Sequence, residues 1–448
     1  MSTTPTPAST ETRNRFIYPG MTLPFVLLVS CFAAWGLAGN MTDPLVSVFG
    51  SVFSMSAFQS SLVQFAYYGA YFALALPAAF INSKLGYKGG VLVGLALAAT
   101  GGFLFFPAAR VMTYSLFILA LFTLASGLSI LETSANPYMM AMGPARNATR
   151  RLNFAQAFNP IGSNIGVFLA AVFILPYVSP ATAEERASMP EAELLATRSS
   201  ELQAVMGPYL ALACLYVALF IGIALAKVPP RKTIVSDARA GIVREKGMLG
   251  RLVRNKRYSF GVVAQFFNIA AQTCIWTYTI HYVTNELGES KAVAGHWLQI
   301  SLLVFLVMRF VMVGIMGRID SRILMVVMCT LGAILTFTAI VTANVVGAVC
   351  LVLLSGCIAL LFPTIYGIAL TGLGDDTKYG AAGLVMAICG GAIMPLVQGK
   401  IIDLTSAAFS YIVVFICFLV IIGYGVYALR TPQPVIEEIP EEEALVRD

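Results

Sequence analysis

Three ionisable side chains, Asp43, Glu132 and Arg309, lie deep inside long apolar runs. A charge near the centre of a bilayer costs at least about 2.5 kcal/mol on insertion scales, so each marks an ion or substrate route before anything else. A desolvated carboxylate holds its proton more tightly than an exposed one, and it can also accept two hydrogen bonds from vicinal hydroxyls. Proton carrier and sugar ligand are both open to such a group. Asn40 precedes Asp43 by three residues and Asn136 follows Glu132 by four, so each acid shares a helix face with an amide. Arg309 needs a partner, as a counter-charge or gate; the competing structural reading is a salt bridge between Glu132 and Arg309.

Uncharged polar stripes accompany the acids. Asn153, Gln156 and Asn159 recur at intervals of three, followed by Pro160 and Gly162. Gln64, Tyr67, Tyr68 and Tyr71 form one helical face, and Gln265, Asn268, Gln272 and Trp276 another. Amide stripes can simply join helices, at about 0.6 kcal/mol per bond. Taken together, they offer what a polyol requires: bidentate amides and carboxylates for the hydroxyls, and a ring for the apolar face of a pyranose. Trp35 and Trp276 lie within apolar runs and suit that role, whereas Trp297 sits near a run's end as core or interface anchor.

These residues have to be positioned by membrane-spanning helices. Of 448 residues, 58% are hydrophobic and 11% charged, far below the roughly 25% charged of soluble domains. Twelve runs are long enough to span a bilayer: 22–49, 57–82, 88–108, 113–141, 152–178 and 205–227, then 258–285, 292–317, 322–344, 345–371, 379–402 and 406–430. The predicted fold is an all-α membrane protein, two six-helix bundles at 22–227 and 258–430, with a polar tail at 1–21, a linker at 228–257 and an acidic tail at 431–448. The linker and Lys227 carry ten basic residues against Asp237 and Glu245, which places them in the cytoplasm by the positive-inside rule. Both termini then follow. Of the 28 basic residues, 22 fall on that side, five opposite, and Arg309 in mid-span. The outer segment 179–204, with Glu184, Glu185, Glu191, Glu193 and Glu201, reads as a solvated helix or loop. The eight cysteines read as buried free thiols. No phosphate-binding loop is present, His281 and His296 lack metal-ligand spacing, and the net charge of +6 lies between spans rather than on a nucleic-acid face.

A 6+6 layout with a basic central linker resembles the major facilitator superfamily. At the residue level the chain is similar to the fucose:proton symporter family, over about residues 22–402. The similarity rests on Trp35-Gly36, Asn40 and Asp43-Pro44-Leu45; on Leu131-Glu132-Thr133 with Ala135-Asn136-Pro137; and on Arg151-Leu152-Asn153, Ala155-Gln156 and Phe158-Asn159. In the second half it rests on Ala264-Gln265-Phe266, Ala271-Gln272-Thr273, Trp276, Tyr278, Arg309-Phe310, Phe362-Pro363-Thr364-Ile365 and Asp376-Thr377-Lys378-Tyr379-Gly380. The resemblance implies proton-coupled monosaccharide uptake by alternating access across a bacterial inner membrane, with the proton as coupling ion and no cofactor or metal. Asp43 and Glu132 would couple the proton; Asn40, Glu132, Gln156, Asn159 and Trp276 would hold the sugar, with Trp35, Gln64, Tyr68, Asn136, Gln272 and Phe362 as further contacts. Two positions depart from the family pattern: Gly39 stands in place of a second asparagine and Phe362 in place of a tyrosine. The loss of that phenol opens a glucose/galactose carrier as an alternative to an L-fucose carrier. A monomer in the bilayer is expected, with no nucleic-acid partner. A uniporter or antiporter for another polar solute and, from another class, a membrane sensor are the rivals.

Overall fold

The computed structural model describes residues 15–52, 57–177, 183–227 and 247–432, with backbone alone at 42–51, 57–66, 68 and a few other helical positions. Among the described residues every regular element is a helix. In chain order they are α1 (Thr22–Val52), α2 (Ala57–Val111), α3 (Tyr114–Ala141), α4 (Ala148–Gln156), α5 (Asn159–Phe173), α6 (Ala183–Ser188), α7 (Glu191–Leu225), α8 (Met248–Arg254) and α9 (Lys256–Leu287). The rest are α10 (Lys291–Ile315), α11 (Ser321–Thr342), α12 (Val345–Ile358), α13 (Leu361–Leu370), α14 (Thr377–Met386), α15 (Gly390–Leu404), α16 (Ala407–Ser410) and α17 (Ile412–Arg430).

Nine helical segments among the described residues are long and apolar enough to cross a membrane. One of them, Gly69–Val111, holds two of the expected spans. At Gly86 the backbone leaves the helix with φ 69° and ψ 173°, a conformation open to a residue without Cβ. Beyond it the chain runs back along α3. Ser129 donates to the Tyr71 carbonyl at 3.1 Å and Asn82 to that of Thr133, whereas Gly94 meets Leu131 and Gly101 meets Leu124, so the two arms follow α3 in opposite directions. The expected fifth and seventh spans complete the twelve. The fifth is broken into α4 and the 15-residue α5, and the seventh, α9, carries the amide stripe that lowers its hydropathy.

By packing, the chain divides into two units: residues 19–138 with 158–229, and residues 15–18, 139–157 and 247–432. In the first, α1 crosses α5 so closely that a Cβ on Gly36 would lie 2.0 Å from the Asn159 carbonyl oxygen, and one on Gly162 1.8 Å from that of Ala33. Small residues permit such an approach where lipid gives no hydrophobic drive. Tyr209 and Tyr216 of α7 donate to the carbonyls of Met41 and Ala34. The Lys88 ammonium donates to the carbonyls of Ala224 and Ala226, a cation at the C-terminal end of a helix.

In the second unit α9 packs against α10, α13, α15 and α17. Five of its helices start on side-chain caps: Asn255 accepts from the Tyr258 N–H, Ser290 from Val293, Asp320 from Arg322, Asn344 from Val346 and Ser406 from Phe409. The tenth span breaks between α12 and α13, where Pro363 cannot donate to the carbonyl four residues back. Segment 139–157 belongs by packing to this unit, although it falls inside the first sequence bundle.

Two expectations need correction. Cys214 is exposed on α7 and Cys389, between α14 and α15, is half-buried, whereas the other six cysteines are buried. Glu201 is not solvated: at 1% exposure it forms a bidentate pair with Arg186, itself 3% exposed, at 3.1 and 2.5 Å. The short helix α6 folds back to bring the arginine over α7, a tertiary contact invisible to composition.

Candidate functional site

The first unit holds Glu132 on α3 at 1% exposure, and neither of its carboxylate oxygens has a hydrogen-bond partner among the described residues. Asn136, one turn on, is fully buried. Tyr71 lies within electrostatic reach of Glu132. Its hydroxyl accepts a 2.7 Å hydrogen bond from the Trp35 indole N–H, its ring lies 5.3 Å from that of Tyr67, and Trp35 lies 6.2 Å from Phe32. An indole and two phenols thus form one cluster, and Tyr71 is its member that interacts electrostatically with the carboxyl.

Asn40, on α1, donates to the Ser163 hydroxyl at 2.8 Å and to the Gly36 carbonyl at 3.2 Å. Asn159 donates to the Phe32 carbonyl at 3.4 Å. Both amides sit at the α1–α5 crossing with their acceptor oxygens uncommitted to those bonds. Asp43 lies on α1, and Gln64 and Tyr68 on α2, but their side chains are outside the described residues.

The second unit holds Gln156, Gln272, Trp276, Arg309 and Phe362. Gln156 is buried at the last position of α4, and Gln272 and Trp276 are half-buried on α9. The Trp276 indole donates to the Ser355 hydroxyl at 3.1 Å, and its ring meets Phe305 edge-on at 5.0 Å. Phe305 in turn carries the Arg309 guanidinium over its face, 4.7 Å from the ring centroid. Arg309 donates to the main-chain carbonyl of Gln156 at 2.7 Å. Phe362 is buried and stacked on Tyr366 at 6.0 Å, with no hydroxyl to offer. Gln265 and Asn268, fully buried on the stripe that leads to Gln272, have no partner for any side-chain polar atom among the described residues.

Sequence reasoning missed Ser163 and Phe305. Each stood in plain view as a spacing: Ser163 is one turn beyond Asn159, and Phe305 one turn before Arg309. Ser355 had no such signal, because it reaches Trp276 from a different helix. Among the described residues no three His, Cys, Asp or Glu side chains gather as metal ligands.

Comparison with known proteins places this architecture. Residues 25–389 match the Major Facilitator Superfamily. The chain is 41% identical over 419 residues to an L-fucose-proton symporter of Haemophilus influenzae, covering 91% of this chain and 97% of that one. It is 32% identical over 427 residues to a glucose/galactose transporter of Brucella abortus, covering 95% and 98%. Among solved structures it is similar to the crystal structure of the transporter FucP in the outward conformation, with a TM-score of 0.85 and 32% identity over 92% of this chain and all of that one. The chain therefore belongs to the major facilitator superfamily and, within it, to the fucose:proton symporter family.

Proposed function

We propose that this membrane transporter imports a monosaccharide together with a proton, by alternating access, with L-fucose or a related hexose as substrate. The observation that carries the reading is Glu132: a carboxyl within an apolar helix, unbonded among the described residues, one turn from the Asn136 amide and in electrostatic contact with Tyr71, which joins an indole and a second phenol. Taking up a proton cancels the charge such a group would otherwise carry in hydrocarbon, and its oxygens are available to sugar hydroxyls. The names of the relatives, an L-fucose-proton symporter and a glucose/galactose transporter, support the substrate class.

In this scheme Asp43 takes a proton from the outer side and Glu132 shares the coupling. Asn40, Glu132, Gln156, Asn159 and Trp276 hold the sugar, with Trp35, Gln64, Tyr68, Asn136, Gln272 and Phe362 around them. Release inward returns the carrier to its outward-open form. Coupling needs only that proton and sugar each bind one access state better than the other, with no covalent chemistry. The proton is the coupling ion, and neither a cofactor nor a metal enters. The carrier works as a monomer in the inner membrane, with both termini cytoplasmic.

Phe362 favours a second reading within the same class. With a hydrocarbon ring stacked on Tyr366, that position makes no hydroxyl contact, which supports a glucose/galactose preference. Purified protein in proteoliposomes, offered labelled L-fucose, D-glucose and D-galactose, separates the readings. Symport predicts uptake of at least one hexose with alkalinisation of the outer medium. Exchange without proton movement makes the carrier a uniporter, and transport of none of the three removes the substrate class.

A further inference from the structure

Arg309 is 7% exposed, two turns from the end of α10, and the acceptor its guanidinium has found there is not a side chain. Its Nη1 donates at 2.7 Å to the carbonyl of Gln156, the last residue of α4. Four residues on from that carbonyl stands Pro160. In a continuous helix the N–H of residue 160 would close the bond to the carbonyl of residue 156, and proline has none. The helix stops there: Ala157 and Phe158 form a turn, and α5 begins at Asn159. The same step separates the two packing units, one ending at Ala157 and the other resuming at Phe158.

The rest of α4 is held by the same unit. Arg150 reaches the other way, its Nε donating at 3.1 Å to the carbonyl of Val313 near the end of α10. Val313 and Arg309 are one turn apart on α10, so two guanidinium groups stitch the two helices together, each on a main-chain oxygen of the other. Asn153 adds a bond from its amide to the Thr364 hydroxyl of α13 at 3.2 Å. On its other side Arg309 lies over Phe305, whose ring meets Trp276. Through Phe305, one side chain thus connects the end of α4 with Trp276, the indole proposed to face the sugar.

We propose that Arg309 is a positioning residue for Gln156: it supplies the carbonyl that Pro160 deprives of its helical donor, and so fixes where α4 ends and how the Gln156 amide is presented. Charge-assisted bonds to a buried carbonyl are among the stronger ones, and a carbonyl without a donor is costly in hydrocarbon. The role for sugar rests on the transport reading above; the role at the helix break does not.

A double-mutant cycle tests it. Arg309→Gln, Pro160→Ala and the double variant are purified beside the parent and Arg309→Lys, and each is measured for thermal stability in detergent and for KM, Vmax and their pH profile in hexose counterflow. Pro160→Ala restores an N–H, so the helix can satisfy the Gln156 carbonyl by itself. Arg309→Gln alone should lower the melting temperature and raise KM several-fold while Vmax keeps its pH profile. In the Pro160→Ala background it should cost little in either measurement, and Arg309→Lys should recover much of the parent's KM. Equal losses in both backgrounds overturn the proposal, as does a shifted pH profile, which would make Arg309 the counter-charge of a titrating acid. Pro160→Ser replaces Pro160→Ala if the alanine variant does not fold. If no hexose is transported the sugar reading fails, and the stability cycle still decides the helix break.

Discussion

Glu132→Gln keeps the shape of the side chain and one acceptor oxygen, puts an amide donor in place of the other, and removes the titrating proton. Under the symport reading this variant should retain counterflow of the sugar with no gradient imposed, because an amide can still pair with hydroxyls. It should lose accumulation driven by a proton gradient at about pH 6, and the difference in uptake between about pH 6 and about pH 8 should vanish with it. A variant that accumulates sugar as the parent does would take Glu132 out of the coupling. At this scale the sequence was informative for a physical reason. Hydrocarbon penalises polar groups so heavily that Glu132, Asn136 and Gln156 stand out against their neighbours before any coordinates exist. What periodicity could not supply was the neighbour. It puts Trp35 on a face, but the bond from its indole to the Tyr71 hydroxyl joins two helices whose pairing the sequence does not state. Arg309 shows the same limit more sharply, since its acceptor is a main-chain oxygen, which no pattern of side chains can announce.

Helix ends carry the next set of forces. Asp320 caps α11, accepting from the Arg322 N–H at 2.8 Å and pairing with its guanidinium at 2.7 Å. The hydrogen bonds from Arg322 hold its carboxyl below the ordinary aspartate range, against the opposing effect of partial burial. A carboxylate whose folded-state affinity for protons is lowered stabilises the fold above its unfolded pKa, and that contribution disappears as pH falls through the folded value. Asp320→Ala should therefore cost about 1 kcal/mol near neutrality, the usual worth of such a cap. The gap between variant and parent should close in strongly acid solution. Thermal melts of both proteins across the acid range read this directly, and a gap independent of pH would mean that the carboxylate does not act as a cap. The Arg186–Glu201 pair belongs to the same scale with a larger stake, because both partners are almost wholly buried. Glu201→Gln leaves a buried guanidinium without its counter-charge, at an expected cost of about 3 to 5 kcal/mol. Replacing both residues by apolar ones should cost clearly less, and a double variant as unstable as the single one would contradict this account. Ser, Asn and Asp ahead of apolar runs are a readable cap signal, although a reading by span length makes no use of it. The buried pair was not, because a segment with five glutamates has the composition of a solvated loop and only the fold of α6 onto α7 removes one of them from water.

For the molecule as a whole, span number was legible because bilayer thickness sets the length an apolar run must reach, and Pro160 with Gly162 marked a kink in the fifth run, whereas the break at Pro363 and the way neighbouring helices receive the freed carbonyls were not legible. The orientation of those spans can be argued from contacts inside each unit. Charge asymmetry assigns the loops near Lys88, Arg150, Arg251, Arg318, Lys378 and Arg430 to the cytoplasm. The structure joins such segments to one another: Lys88 to Ala224 and Ala226, Asn147 to the Arg15 carbonyl, Arg251 to Asp376, Arg257 to the Pro432 carbonyl and Arg322 to that of Ala428. On the opposite side Glu286 accepts from the Ala408 N–H and Tyr282 donates to the Ala339 carbonyl, again joining ends assigned to one face. An error of one span anywhere in the second unit would have thrown these partners onto opposite faces. Inside each unit the contacts join ends that the span count puts on one side, and the proposal that this side is cytoplasmic rests on the basic residues. A reporter fluorescent only in the cytoplasm, fused after Arg430, should therefore light up, and one fused within the loop between α9 and α10 should stay dark. An alkaline phosphatase active only outside should give the inverse pattern. A dark fusion after Arg430 would reverse the orientation of the whole set, and with it the direction from which Asp43 is proposed to receive its proton.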